Sequence, residues 1–492
     1  MKLNALLAVL MMALTPLPAA AQALVGNPFA EASTYRNQRD ALDDARYRVR
    51  YEATHVTGSG APEVTELTLD VADDWALARE GERTTLYDFQ LNRVFTLSAD
   101  SFTGINGFSG LTFRIMERQN RSYLQRIVQA AGAQAQQLPD ACDAETELSL
   151  VMPNAPDSGV AEVRERQGVF TFVCADREMG GFSAGDGAAP PAALWPAVYA
   201  EMPTHPVLHR RVRESGRAPA QMSISYRNGA GQSAERTWRL IAVETISTPY
   251  PLLPSMRNAT AEALDQVVPG AGQIGVEAIA GRALGGAPTL QSWDTYLGDI
   301  SRRDGDAAAS MLIAGTMSMF PELQCNGAHA RLTACRLLFG LRALRDPAPW
   351  ALIEVSVAEQ RGDSAGAIAA MQRAQTSPLR DHPALGAAFA LAILRFDQTA
   401  MEQARAANLP LDVAALQNRA LLALPYNPGY WTDVGDRYGR NYDWANALTF
   451  YEIAFALPLP STSSGSPVLV SKRTQLERIR RDFPEPFLPA RP

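Results

Sequence analysis

The segment Gly181-Phe182-Ser183-Ala184-Gly185 comes nearest to a catalytic motif, because G-x-S-x-G is the nucleophile elbow of α/β-hydrolases. In an elbow the serine lies on a sharp turn between a strand and a helix that together place it beside an oxyanion hole. A strand-like run precedes Ser183, but the residues that follow, DGAAPP, oppose an immediate helix. We therefore interpret the segment as a glycine-rich loop, and a hydrolase using Ser183 is the third-ranked hypothesis.

A second glycine motif, Gly270 to Gly275 (GAGQIG), matches the G-x-G-x-x-G fingerprint of dinucleotide-binding proteins. That site requires a buried strand directly before the first glycine, so that the pyrophosphate reaches the N-terminus of the following helix. The preceding residues, ALDQVVP, have a helical pattern that ends at Pro269. The motif is therefore interpreted as a loop between domains, and no cofactor is predicted.

The spacing of the histidines does not predict a metal site. His205 and His209 are four residues apart and could share a metal, but Pro206 lies between them and three arginines follow closely. The other histidines are isolated: His55, His329 and His382. We expect surface or hydrogen-bonded core roles for all of them. Neither lysine follows a glycine-rich loop, and no carboxylate pair has a distinctive spacing, so no catalytic residue and no metal site are predicted.

The four cysteines fall into two pairs, Cys142 with Cys174 and Cys325 with Cys335, one pair in each half of the chain. We expect a disulfide within each pair, and the 142–174 bond would contribute roughly 3–4 kcal/mol in the chain-entropy model. The second bond requires the chain to turn, because ten residues of continuous helix rise about 15 Å. Zinc is the alternative, but neither pair has a C-x-x-C spacing.

The N-terminus has the pattern of a secretory signal peptide, predicted over residues 1–23. Lys2 precedes an apolar run from Ala5 to Leu14, and the small residues Ala19 to Ala23 follow, with cleavage after Ala21 or Ala23. No cysteine lies near this point, so no lipid anchor is expected, and no later run of 18 apolar residues predicts a membrane span. We expect a periplasmic or secreted protein.

Composition indicates a folded chain with an acidic balance. The 492 residues are 47% hydrophobic and 20% charged, which suits two or three domains with their own cores. The net charge of −7 argues against non-specific binding to nucleic acid.

Periodicity divides the chain into segments that together predict an α+β, multidomain fold. After a lead helix over 24–45, residues 46–250 alternate between apolar and polar side chains, as in RYRVRYEATHV, which places Tyr47, Val49 and Tyr51 on one face. A helix over 113–137 interrupts these strands, so a mostly antiparallel β domain with one or two helices is expected. A proline-rich linker with short helices (251–292), a helical domain (293–460) and a linker, basic helix and proline-rich tail (461–492) follow.

The strand–turn–strand pattern around Asp88, Arg93 and Ser98 resembles the curved half-barrel of periplasmic lipoprotein-carrier proteins. Those proteins shelter lipid chains on the concave face of the sheet. The resemblance implies an apolar ligand and an inward face unusually rich in large apolar residues. In this sequence the inward positions are only ordinary in that respect.

The most regular helical pattern lies in Trp431 to Pro458, within a stretch of about 428–461. Apolar and small residues repeat at i, i+3, i+4 and i+7 on two successive helices. The expected packing residues are Trp431, Val434, Gly435, Tyr438, Ala447, Tyr451 and Ala454. This stretch resembles one tetratricopeptide (TPR) repeat, and residues 367–374 echo it. The resemblance implies an all-α TPR-like solenoid that presents a groove to a partner.

The leading hypothesis is therefore a non-catalytic periplasmic interaction protein that binds a protein partner of the cell envelope through its helical surface. The alternative is a carrier of an apolar ligand, lipid or lipoprotein, through the β domain.

Overall fold

The computed structural model describes residues 27–40, 42–91, 93–97, 101–106, 161–174, 177–186, 190–202, 204, 206–227, 233–251, 257–280, 289–316, 325, 327–440, 444–458 and 467–482. The chain forms two compact units: a sheet unit, Ala30–Ala259 with Glu477–Pro492, and a helical unit, Met1–Phe29 with Thr260–Leu476. The signal peptide over 1–23 and the helix over 113–137 that the sequence predicts lie outside the described residues.

The described strands of the sheet unit form one sheet in the order β12-β6-β5-β4-β3-β2-β1-β11-β10-β9-β8-β7. All neighbours pair antiparallel except β12 and β6, which are parallel. Their bounds are Ala45–Thr57, Glu63–Val71, Trp75–Glu80, Arg83–Asp88, Arg93–Leu97, Ser101–Asn106, Ala161–Arg166, Val169–Cys174, Arg177–Ala184, Pro219–Arg227, Ser233–Thr248 and Arg257–Asn258 for β1 to β12. The predicted antiparallel β architecture is confirmed.

One face of this sheet, which we call the helix-bearing face, is covered by two helices and holds the main core. Val49 and Tyr51 of β1 are fully buried there, as the alternation predicts. Helices α2 (Leu194–Glu201) and α3 (Pro206–Ser215) complete the core with Val198 and Leu208. The far end of α2 is fixed to β4, because Tyr87 donates a 2.5 Å hydrogen bond to the Glu201 carboxylate.

The opposite face carries charge at the centre of the sheet. Asp70 of β2 is completely buried, and its two carboxylate oxygens accept hydrogen bonds of 2.6 and 2.8 Å from Arg48 and Arg79. Arg50 makes a bidentate pair with Glu66 in the same row. These cross-strand pairs occupy the polar positions of the alternation, so they fix the register of β1 to β3.

The lead helix is shorter than the 24–45 prediction within its described residues, since α1 covers only Ala32–Arg36. The chain leaves the helix because Arg39 is buried, with its guanidinium 2.6 Å from both Asp74 and Asp88. Tyr250 donates a 2.8 Å hydrogen bond to the same Asp88 carboxylate. Around this ionic cluster, α1 and strands β3 to β6 form a second, smaller core.

The remaining described helices belong to the helical unit, except that α15 continues past Leu476 into the residues assigned to the sheet unit. Their bounds are Thr260–Val267, Ala271–Ile279, Leu290–Thr316, Thr333–Gly340, Ala348–Arg361, Ser364–Gln375, Pro383–Ile393, Gln398–Ala406, Val413–Ala423, Pro428–Arg440, Trp444–Ala456 and Pro467–Asp482 for α4 to α15. Short 3₁₀ turns lie at Gly327–Arg331 and Leu341–Ala343. None of the described helices combines the length and hydropathy needed to cross a bilayer.

Side-chain caps begin several of these helices. The carboxylates of Asp363, Asp397 and Asp412 accept hydrogen bonds from the first-turn amides of α9, α11 and α12. Helix α6 is broken at Gly305, which has a φ of 90° that other residues rarely adopt. Short capped helices in succession make this a helical repeat-like region, and the fold as a whole is α+β as predicted.

The GAGQIG segment is part of helix α5, so its interpretation as a loop between domains was wrong. A Cβ at Gly272 would overlap the carbonyl oxygen of Ala261 in α4, and a Cβ at Gly275 would lie 2.8 Å from Phe29 and 3.1 Å from Trp431. The glycines therefore allow close packing of helix axes. Sequence pattern alone shows the same glycines whether they approach a phosphate or another backbone.

Candidate functional site

The hairpin of α13 and α14 contains the residues of the predicted repeat. Trp431, Val434, Ala447 and Ala454 are completely buried in the described chain, and Tyr451 is nearly so. A Cβ at Gly435 would lie 2.5 Å from the Tyr451 ring, so the glycine brings the two axes together. The Tyr438 ring stacks on Phe450 with 5.6 Å between centroids. The hairpin is thus held by a small-against-large contact at its centre.

A charged cluster lies on one side of this hairpin. The Lys472 ammonium of α15 is 2.5 Å from the Asp436 carboxylate of α13 and 4.9 Å from the centroid of the Tyr451 ring. The Tyr451 hydroxyl donates a 2.5 Å hydrogen bond to the same carboxylate oxygen. We call the surface of α13 and α14 around Asp436, Tyr451 and Phe455 the terminal groove. Its cation recognition combines a carboxylate with an aromatic face.

Asp433 lies one turn before Asp436 on α13 and is partly buried. Burial raises the pKa of the Asp433 carboxyl to about 7, and the negative charge of Asp436 adds to the effect, while Lys472 and Arg440 oppose it. The group therefore changes protonation state near neutral pH. Burial likewise raises the pKa of the Tyr451 hydroxyl, so the tyrosine remains a hydrogen-bond donor.

A second surface of the helical unit exposes large apolar side chains. Trp350 and Val357 lie seven residues apart on α8, and each is more than a third exposed. Leu391 and Leu394 lie at the C-terminal end of α10 and are similarly exposed. We call these four residues the apolar surface. The two helices end side by side, because Arg395 after α10 pairs with Glu359 of α8 at 2.7 Å.

The sheet unit has a shallow depression of about 70 Å³ formed by residues of β1, β2, β3 and β11. Small-molecule pockets usually have volumes of roughly 300–1,000 Å³. Its lining is mainly polar, with the following side chains: Ala53, Thr54, His55, Glu63, Thr65, Glu80, Arg236 and Trp238. Among the described residues, no three His, Cys, Asp or Glu side chains converge as metal ligands. The depression does not resemble the apolar cavity that a lipid carrier requires.

Ser183 lies in strand β9, so the interpretation of its segment as a loop was wrong. It pairs with Val169 of β8 on one side and Gln221 of β10 on the other, in antiparallel registers. A nucleophile elbow would place it on a turn. Close packing accounts for the second glycine of the motif instead, since a Cβ at Gly185 would lie 2.7 Å from the Ala218 carbonyl oxygen.

The described histidines fill different structural roles, and His205 lies outside the described residues. His209 is buried in α3 with its ring 4.0 Å from that of Tyr199. His382 caps α10, because its Nδ1 accepts a 3.2 Å hydrogen bond from the Ala384 amide. Burial lowers the pKa of His382 to about 4, which keeps the ring neutral and able to accept that bond.

Cys325 and Cys335 form a disulfide with a Cα–Cα distance of 5.3 Å. The chain turns through the Gly327–Arg331 3₁₀ segment between them, as the pairing required. Cys174 is also disulfide-bonded, and its predicted partner Cys142 lies outside the described residues. Disulfides persist in oxidising compartments, so this bonding indicates an extracytoplasmic location.

The sequence patterns missed the charged contacts that organise both units. Arg39 with Asp88, and Lys472 with Asp436, join residues that are 49 and 36 positions apart. The only signal in the sequence was composition, since Lys472 is one of two lysines in a chain whose other basic residues are arginines.

Comparisons with known proteins do not identify a family for this chain. No protein-family model matches the chain, and no curated protein matches it. Among solved structures, a LolA superfamily protein from Nitrosomonas europaea is 7% identical with a TM-score of 0.20, covering 46% of this chain and 98% of that one. At that TM-score the likeness supports no conclusion about fold or function. The resemblance of the strands to lipoprotein carriers stays a prediction.

Proposed function

We propose that this chain is a non-catalytic interaction protein of the bacterial periplasm that binds a protein partner through its helical unit. The observation that carries the proposal is the apolar surface, where two adjacent helices expose large side chains while their other faces are buried. Tryptophan is among the residues enriched at the centre of protein interfaces, so Trp350 is the expected anchor of this surface. The disulfide in the same unit is consistent with the periplasm.

The alternative, an apolar-ligand carrier, has less support from the described residues. A carrier needs space between the sheet and its helices. Here that position is filled by the side chains of the main core, including the completely or almost completely buried Trp238, Met222 and Phe182. These residues belong to the same core as Val198 of α2 and Leu208 of α3, so an acyl chain would have to displace close-packed side chains.

The test uses the full chain as bait in envelope extract of the source organism. Val357→Arg with Leu394→Arg would place two charges on the apolar surface, and these exposed positions tolerate arginine without loss of core packing. Val64→Arg is the matched control, because Val64 is also an exposed apolar residue but lies on β2. We expect one partner to be retained by wild type and by the control and lost by the double variant. Equal retention by all three chains would reject the apolar surface as the binding site.

A further inference from the structure

The terminal groove is already occupied by a segment of the same chain. Lys472 contacts Asp436 and the Tyr451 ring, and the next residue, Arg473, lies 5.3 Å from the centroid of the Phe455 ring. Leu469 and Leu476 are buried on either side of Lys472 in sequence. Helix α15 therefore docks through a leucine–lysine–leucine pattern at positions 0, 3 and 7, one face of a helix.

Several other described side chains of α15 face solvent. Ser471, Thr474 and Gln475 are exposed, and so is Val470, at 48%. A helix that belonged permanently to the core would bury a wider apolar stripe. Among the side chains that the structure describes in α15, Leu469, Lys472 and Leu476 form one buried face with a charge at its middle.

The charge of Lys472 determines which helix the terminal groove accepts more than how tightly that helix binds. The Lys472 side chain is only 10% exposed, so its ammonium has given up most of its hydration to pair with Asp436. The desolvation cost of a buried pair offsets much of its Coulomb attraction, although removing one partner is costly. Such pairs set register and partner choice more than affinity. The choice of lysine in an arginine-rich chain fits a compact cation between a carboxylate and a ring.

From these contacts we propose that α15 is a releasable internal ligand of the terminal groove, which binds amphipathic helices carrying a lysine between two leucine-type residues at this spacing. The groove is a second interaction surface, separate from the apolar surface. Residues 459–466, LPSTSSGS, connect α14 to α15 and have a composition common in linkers. A short tether gives the attached helix an effective concentration in the millimolar range. Any external helix therefore competes with α15 at that concentration.

The test measures binding of a fluorescent peptide of residues 467–482 to full-length variants. Lys472→Glu places a carboxylate against Asp436 and should release α15, whereas Thr474→Glu adds a negative charge at an exposed position of the same helix. We expect the peptide to bind the Lys472→Glu chain at least about tenfold more tightly than wild type or the Thr474→Glu control. Equal binding by Lys472→Glu and Thr474→Glu would overturn the proposal.

If Lys472→Glu does not fold, hydrogen exchange of the wild-type chain tests whether α15 leaves the terminal groove. A releasable α15 opens by itself, so its amides should exchange at least about tenfold faster than the protected amides of α13 and α14. Equal protection of the three helices would mean that α15 is a permanent part of the core. Neither readout involves the apolar surface, so this inference and the proposed function can fail separately.

Discussion

Individual buried polar residues in this chain are stabilised in two ways, by pairing or by remaining neutral. Asp70 keeps a lowered pKa although it is completely buried, because hydrogen bonds from Arg48 and Arg79 outweigh desolvation. His382 remains neutral and acts as a helix cap. Asp433 is different, since burial beside a second carboxylate raises its pKa into the neutral range. Its ionisation should therefore change the free energy of unfolding near neutral pH, where Asp70 stays charged and His382 stays neutral.

Asp433→Asn tests this effect. The folded-state pKa of Asp433, about 7, lies above the ordinary value of 3.8, so the folded state binds the proton more tightly than the unfolded state. Its contribution to stability is complete below pH 4 and is lost as the pH rises to about 7. Asn cannot ionise, so the variant should gain about 2–3 kcal/mol relative to wild type between pH 5 and pH 8, measured by urea unfolding.

The control for that measurement is Glu402→Gln, an exposed carboxylate on α11 of the same unit. The pH-dependent change in stability of Asp433→Asn is measured against that of Glu402→Gln. A constant difference between Asp433→Asn and wild type would show that Asp433 ionises normally in the folded chain.

At the scale of elements, small residues decide how closely helices pack. Gly435 faces the Tyr451 ring, Gly272 faces the α4 backbone and Gly275 faces Trp431. A Cβ at any of these positions would lie 3.1 Å or less from a neighbouring atom, so each glycine allows its helix to approach another element closely.

Gly435→Ala should destabilise the α13–α14 hairpin. The added Cβ would lie 2.5 and 2.8 Å from two carbons of the Tyr451 ring and 3.1 Å from the Ala447 carbonyl oxygen. Overpacking of this kind costs about 1–3 kcal/mol, which calorimetry of the full chain would detect as a lower melting temperature. Gly340→Ala is the matched control, since its Cβ meets nothing within 4 Å and its φ is −80°. An equal effect of both changes would contradict the close-packing explanation.

At the scale of the whole molecule, the proposed export makes a covalent prediction. The chain recovered from the periplasm should begin at Gln22 or Leu24, because cleavage is expected after Ala21 or Ala23. All four cysteines should be unreactive with thiol reagents until a reductant is added, since Cys174, Cys325 and Cys335 are disulfide-bonded and Cys142 is the remaining one. Intact mass before alkylation identifies the first residue of the chain, and the mass added by alkylation counts the free thiols. Free thiols in the exported chain would argue against the 142–174 bond.

Much of the architecture could be predicted because it depends on neighbours in sequence. Alternation along β1 placed Val49 and Tyr51 on the buried face and their arginine neighbours on the other. The i, i+3, i+4 and i+7 pattern identified the α13–α14 hairpin and Gly435 as the point of close approach. Local periodicity sets which face of an element is apolar, and burial of that face then follows from the hydrophobic effect.

Other features could be decided only by tertiary structure, because they depend on residues far apart in the chain. The motif around Ser183 lies in a paired strand, and the motif around Gly272 lies in a packed helix. Sequence alone could not show this, because the residues that contact each motif lie on other elements. The pair Lys472–Asp436 joins the last described helix to the repeat, and neither residue has a local pattern that selects the other. The sequence was therefore sufficient to predict the α+β fold class and the helical, repeat-like character of the C-terminal region. The folded chain decided which charges meet and which groove α15 occupies, because those contacts arise only when distant elements pack.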